Sequence, residues 1–182
     1  MKGIVFTEFL DLVEDTFGLE TVEDIIEKSN LPSKGAYTSI GTYAFSEMIS
    51  LVNHLSENTS MTVEDLLHVY GHHFFGAIKR DYAYILDSYT DPLDLLSSVG
   101  SHIHVEVRKI YPDAELPNFE VVNRNGNSLT LTYFSSRSLY AFGLGLMEKA
   151  FEYYERNATI TFNKIKEDGS EVKFVILEHE GC

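Results

Sequence analysis

Apolar side chains recur every three or four residues through the first two-thirds of the chain and every second residue through much of the last third. Val5, Phe9, Leu12, Val13 and Phe17 share one side of a helix over residues 3–17, which Gly18 stops. Thr21 is placed to N-cap a short helix through Ile25 and Ile26, ending near Asn30 and Pro32. Residues 31–41, with Pro32, Gly35 and Gly41, read as a loop. A helix follows from Ala44 to Leu55, with Phe45, Met48, Ile49 and Val52 along one face. Thr62, with Asp65 three residues on, caps another that runs to about Lys79. The aromatic stretch 82–90 favours no period. Asp91-Pro92 then opens a helix with proline at its first position, and Leu96, Val99, Ile103, Val107 and Ile110 carry the apolar stripe to Ile110.

Beyond Pro112 the period changes. Glu120 to Asn123 and Ser128 to Tyr133 alternate around Asn125-Gly126-Asn127, a hairpin signal. Tyr140 to Tyr154 is helical again, and Ala158 to Lys166 and Glu171 to Glu178 flank Asp168-Gly169, a second hairpin. The expected class is α+β: a helical N-terminal half against a four-stranded antiparallel sheet, with one helix between the two hairpins. There is no repeat and no linker, so residues 1–182 form one domain.

Composition narrows the partners. Hydrophobic residues make up 44%, with 12 Phe and 11 Tyr, which suits an aromatic-rich core. Lys and Arg number 14 against 28 Asp and Glu, and the resulting charge of −14 repels nucleic acid and anionic membrane alike. It also makes any bound dianion dependent on local cations. Cys182 is the only cysteine, no secretory leader is evident in Met1-Lys2-Gly3-Ile4-Val5-Phe6, and no run approaches 18 apolar residues; a cytoplasmic setting is expected.

The candidate chemistry rests on histidines and one short triplet. His102 and His104 are two apart on the expected 92–110 helix, so they point roughly 200° apart and only one can face a given site. Ser97, Gly100 and Ser101 before His104 are small and leave room beside the helix for a flat ligand, whereas His102 neighbours Glu106 and Lys109. On spacing alone, both histidines read equally as ordinary boundary residues. Glu64, His68 and His72 form an i, i+4, i+8 stripe, either a solvated helix face or two imidazoles able to share zinc; no His-Glu-x-x-His hydrolase pattern accompanies them. Tyr133, Ser135 and Arg137 alternate, and in extended backbone would share one face at about 6.6 Å intervals. Two hydroxyls and a guanidinium suit carboxylate oxygens, though such triplets are also common at strand ends. An imidazole plus this triplet matches a flat, acidic, metal-bearing cofactor. Gly143-Leu144-Gly145 lies inside a helix, where it permits close packing, and no Gly-x-Ser-x-Gly elbow exists.

The opening Met1-Lys2-Gly3-Ile4-Val5, the His104 helix, Tyr111-Pro112-Asp113-Ala114-Glu115-Leu116-Pro117 and Tyr133-x-Ser135-x-Arg137, in this order, resemble the haem nitric oxide/oxygen-binding (H-NOX) family. That family includes the sensor domain of soluble guanylate cyclase and stand-alone bacterial sensors. The resemblance implies haem b between a distal helical part, about 1–60, and a proximal part, about 61–182. His104 becomes the iron ligand, and Tyr133, Ser135 and Arg137 hold the propionates. Pro117 and Val5 press on the macrocycle, and Phe9, Phe74, Ile78, Phe142 and Leu146 form the distal wall. Members that bind O₂ stably place a tyrosine in that wall, where Phe142 stands here and Tyr140 is two residues away. The resemblance therefore implies a sensor rather than an enzyme. It would bind NO, and also CO, and signal to a sensor histidine kinase or a cyclic-di-GMP enzyme by breaking the His104–iron bond. The alternatives are an O₂-binding member and a haem-free small-molecule-binding domain of the same shape; a zinc hydrolase built on Glu64, His68 and His72 is more distant.

Overall fold

Helix α1 (Gly3–Phe17) stops at Gly18, whose φ of +87° lets the chain turn within a single residue. Because the turn is that tight, α2 (Leu19–Lys28) begins before Thr21. Thr21 is therefore not the cap; it lies inside the helix and its hydroxyl donates back to the Phe17 carbonyl at 3.0 Å. The computed structural model describes residues 1–179, and Cys182 lies outside them. Helix α3 spans Phe45–Thr59 and α4 spans Val63–Asp81, the latter capped by Thr62, whose side chain accepts from the Asp65 N–H. The aromatic stretch yields only the short α5 (Ala83–Leu86).

The helix expected over 92–110 is not continuous. Asp91 caps α6 (Pro92–Ser97) as its sequence implies, accepting from the Leu93 and Asp94 N–H groups. A π-helical turn over Val99–Ile103 follows, in which the N–H groups of His102 and Ile103 both reach the Ser98 carbonyl. Helix α7 (His104–Ile110) completes the segment. A Cβ on Gly100 would sit 2.9 Å from the Phe119 carbonyl oxygen. The widened turn thus seats Gly100 directly against a strand. Its small size serves that contact rather than clearing room for a ligand.

Strands β1 (Asn118–Asn125), β2 (Ser128–Phe134), β3 (Asn157–Lys164) and β4 (Glu171–His179) form one antiparallel sheet in the order β1-β2-β4-β3. Asn125 pairs with Ser128, so the first hairpin turns on Gly126-Asn127, and Gly126 takes the left-handed φ of +51° that this turn needs. The inner strands register Leu129 with Ile176, Leu131 with Phe174 and Tyr133 with Val172. All six are buried, and helix α8 (Tyr140–Tyr153) adds Met147, Ala150 and Phe151 to the same core. Truncating Leu131 to alanine there would cost about 2–5 kcal/mol.

Helices α4 and α8 meet backbone to backbone. A Cβ on Gly71 would lie 2.2 Å from the Phe142 carbonyl oxygen, and one on Gly145 would lie 2.2 Å from that of His68. The close packing expected of Gly143-Leu144-Gly145 belongs to Gly145. Among the described residues, no helix is long and apolar enough to cross a membrane.

Candidate functional site

A cavity of about 410 Å³ lies among α1, α4, α6, α7, α8 and the start of the sheet, in the size range of cofactor pockets. Helix α4 contributes Tyr70, Phe74 and Ile78, and α8 contributes Phe142 and Leu146. Val99 and Ile103 of the π turn, His104 and Val107 of α7, and Pro117 just before β1 line it too, as does Val5 of α1. A division of the chain near residue 60 is therefore not a division of the site, since α4 and α8 supply much of its apolar wall.

Phe9 does not line this cavity. It is fully buried and meets Tyr70 edge to face at 5.3 Å between ring centroids, one layer behind the wall. The α1 periodicity that groups it with Val5 tells only that both face inward; Tyr70 takes the surface in front of Phe9. Tyr70 itself escaped the sequence reading, although 70, 74 and 78 form an i, i+4, i+8 stripe that would have found it. Its hydroxyl donates to the Val5 carbonyl, a bond that joins α4 to α1. Burial raises this phenol well above the ordinary tyrosine range.

Of the lining residues, His104 is the sole imidazole. Burial pushes it down to about 4, the positive charge of Arg108 adds to that, and a hydrogen bond with the Pro117 backbone partly opposes it. At neutral pH the ring is neutral, the form that offers a lone pair to a metal. His102 behaves differently: its side chain is 46% exposed, and its Nδ1 lies 2.6 Å from the Tyr89 hydroxyl.

Tyr133, Ser135 and Arg137 all border the cavity, but not by strand alternation. Strand β2 ends at Phe134, and a turn closed by the Ser138 N–H on the Ser135 carbonyl brings Arg137 round. The Ser135 hydroxyl accepts from the Arg137 N–H at 3.2 Å, and the Tyr133 hydroxyl accepts from the Leu139 N–H at 2.9 Å. The Arg137 guanidinium donates to the Glu115 carbonyl at 2.9 Å and to the Glu115 carboxylate, and lies over the Phe45 ring. Lys2 pairs with Asp113 at 2.7 Å on the same border. Glu115 and Asp113 were not found from sequence, because their role depends on which cations the fold brings to them. Tyr82 and Tyr111, also lining residues, bond each other through their hydroxyls at 2.9 Å.

This architecture has close relatives among solved structures. The Fe(II) unliganded H-NOX protein from K. algicida is 58% identical, with a TM-score of 0.98, 100% of this chain covered and 98% of that one. The H-NOX from Shewanella woodyi, solved bound to IWP-051 in the Fe(II)CO state, is 37% identical with a TM-score of 0.83, covering 98% and 95%. An S. oneidensis H-NOX in the Fe(II)NO state is 25% identical with a TM-score of 0.91, covering 99% and 100%. No curated protein matches the chain. The family model described as haem-NO-binding matches residues 2–162. The chain belongs to this H-NOX family, whose members are haem-binding gas-sensor domains rather than catalysts.

The residues present fit that group. A largely apolar chamber holds one neutral imidazole, and a guanidinium with two hydroxyl-bearing neighbours stands at its border, the donor set that a metal-centred ring with acidic substituents requires.

Proposed function

We propose that this protein is a cytoplasmic sensor of nitric oxide that uses haem b and passes its signal to a separate protein. A bound haem b would supply a ferrous iron able to take NO or CO at its open position. His104 would be the protein ligand on one face. Arg137, Ser135 and Tyr133 would hold the propionates, with Arg137 exchanging its Glu115 carboxylate for a propionate of the same charge. Pro117 and Val5 would press on the ring, and Phe74, Ile78, Phe142 and Leu146 would make the gas-side wall.

The character of that wall carries the choice of NO over O₂. Bound O₂ gains from a hydrogen-bond donor and NO does not need one. The four wall residues have no donor, and Tyr70, which lines the cavity beside them, already gives its proton to the Val5 carbonyl. Tyr140 lies outside the cavity lining, with its ring against Phe162 and the Lys164 ammonium 4.8 Å above it. His73 is also outside the lining, with its Nε2 3.9 Å from the Glu8 carboxylate.

His104 is the residue whose hold on the iron would give way on NO binding. It opens α7 immediately after the π turn, so its helix is joined to α6 through a widened, less regular segment rather than a rigid rod. Such a joint suits a two-state element biased by a ligand. A sensor histidine kinase or a cyclic-di-GMP enzyme would receive the change. The test is spectroscopic: ferrous protein exposed to NO should show the blue-shifted Soret band of a nitrosyl haem without a histidine ligand. A band that keeps the histidine-bound position under excess NO would sink the release step.

A further inference from the structure

On the flank of the α4–α8 contact, His68 and His72 of α4 converge on Glu148 of α8. Each imidazole Nε2 lies 2.7 Å from the same Glu148 Oε2, and the three ligand atoms all lie within 4.8 Å of one another. Glu64, the acid expected to complete the stripe, instead pairs with Lys164 at 3.2 Å.

We propose that His68, His72 and Glu148 form a second metal site, separate from the haem pocket, which takes Zn(II) or a cation of its class and staples α4 to α8. Two imidazoles and one carboxylate are donors that zinc favours over calcium or magnesium. The backbone holds them in place. A Cβ on Gly145 would meet the His68 carbonyl oxygen and, at 3.0 Å, the His72 nitrogen, so α8 touches α4 at both histidine positions. Glu148 follows Gly145 by three residues, one turn along α8, and so stands between the two rings.

Around a tetrahedral zinc with bonds near 2.1 Å, ligand atoms sit about 3.4 Å apart, so each 2.7 Å spacing must open by about 0.7 Å. The side chains are 35%, 31% and 35% exposed, which leaves room for that adjustment. With the ion bound, each ring would carry its proton on Nδ1, and the Nε2 lone pairs would replace the contacts to the carboxylate. Glu152, one turn further on, is held by Lys149, so water completes the shell. The net charge of −14 favours a divalent cation anywhere on this surface, but only here do two imidazoles join a carboxylate among the described residues.

The staple is independent of which gas the haem binds. The same two helices present Phe74, Ile78, Phe142 and Leu146 to the cavity, so an ion on their outer flank fixes the spacing of the cavity wall.

Haem-loaded protein, stripped with chelator, should retain one zinc per chain after dialysis against micromolar zinc, measured by elemental analysis beside iron. Its melting temperature should rise with zinc. His68→Ala, His72→Ala and Glu148→Gln should each weaken retention at least tenfold, while His54→Ala leaves it unchanged. X-ray absorption at the zinc edge of the unmutated protein should report two imidazoles in the first shell, a reading that does not depend on any variant folding. No retained zinc, undiminished zinc in a His68→Ala/His72→Ala double variant, or a shell without imidazole would each overturn the site.

Discussion

Replacing Gly145 with alanine tests the helix contact on which both the cavity wall and the proposed staple depend. The new methyl would lie 2.2 Å from the His68 carbonyl oxygen, 3.0 Å from the His72 nitrogen and 3.1 Å from the Gly71 Cα. Carbon contacts are comfortable near roughly 3.5–4 Å, so α4 and α8 must part by roughly 1 Å. All three obstacles are backbone atoms, and none can swing aside as a side chain would. Overpacking of a tight core typically costs about 1–3 kcal/mol, and this rigid case belongs at the upper end. For a chain of 182 residues, about 3 kcal/mol lowers the melting temperature by roughly 6–12 °C. Gly76→Ala is the matched control, since it lies in the same helix α4 and a Cβ there meets nothing within 4 Å. It should stabilise by about 0.4–1 kcal/mol by narrowing the unfolded chain. Thermal unfolding followed by circular dichroism, with the three proteins side by side, reads both effects. A Gly145→Ala protein that melts together with the unmutated one would refute the contact. So would a Gly76→Ala protein destabilised as much as Gly145→Ala, because the cost would then belong to helical alanine in general.

His104→Gly should abolish ordinary haem loading, and added imidazole should restore it by supplying the ligand in trans, whereas His102→Gly should leave the spectrum nearly unchanged; the reverse outcome would move the ligand to His102. Arg137→Ala removes charge-assisted hydrogen bonds worth about 1.5–3 kcal/mol each, so haem affinity measured against apo-globin should fall at least tenfold, and unaltered retention would take Arg137 out of the site. In air the ferrous protein should bind CO and NO yet form no stable oxy complex, and Phe142→Tyr should move it towards O₂. A stable oxy spectrum in the unmutated protein would contradict the donor-free wall and direct attention to the Tyr82–Tyr111 hydroxyl pair.

Much of this molecule was legible in one dimension. The change from a period of three or four residues to a period of two marks where helices give way to the sheet, because each period is the only one that buries a single face of its element. Asp91-Pro92 and Thr62-x-x-Asp65 announce helix starts because the caps are local, made by a side chain and N–H groups two or three residues away. Gly18 and Gly126 likewise carry their positive φ angles as properties of single residues. The order of the His104, Pro117 and Tyr133-x-Ser135-x-Arg137 motifs sufficed to recognise the family.

What depended on distant partners could not be read that way. The π turn between α6 and α7 exists where Gly100 seats against Phe119, a contact between a helix and a strand that no helical period encodes. Phe9 and Tyr70 are both inward-facing aromatics, and only their stacking decides which one borders the cavity. Arg137 reaches its place through a turn rather than along a strand, and its Glu115 partner lies 22 residues earlier. Glu148 joins His68 and His72 across some eighty residues because two glycines let two helix backbones touch. Periodicity and capping are short-range consequences of backbone geometry, so the chain by itself determined its elements. Which faces meet is set by the packing of all of them at once, and that only the tertiary structure decided.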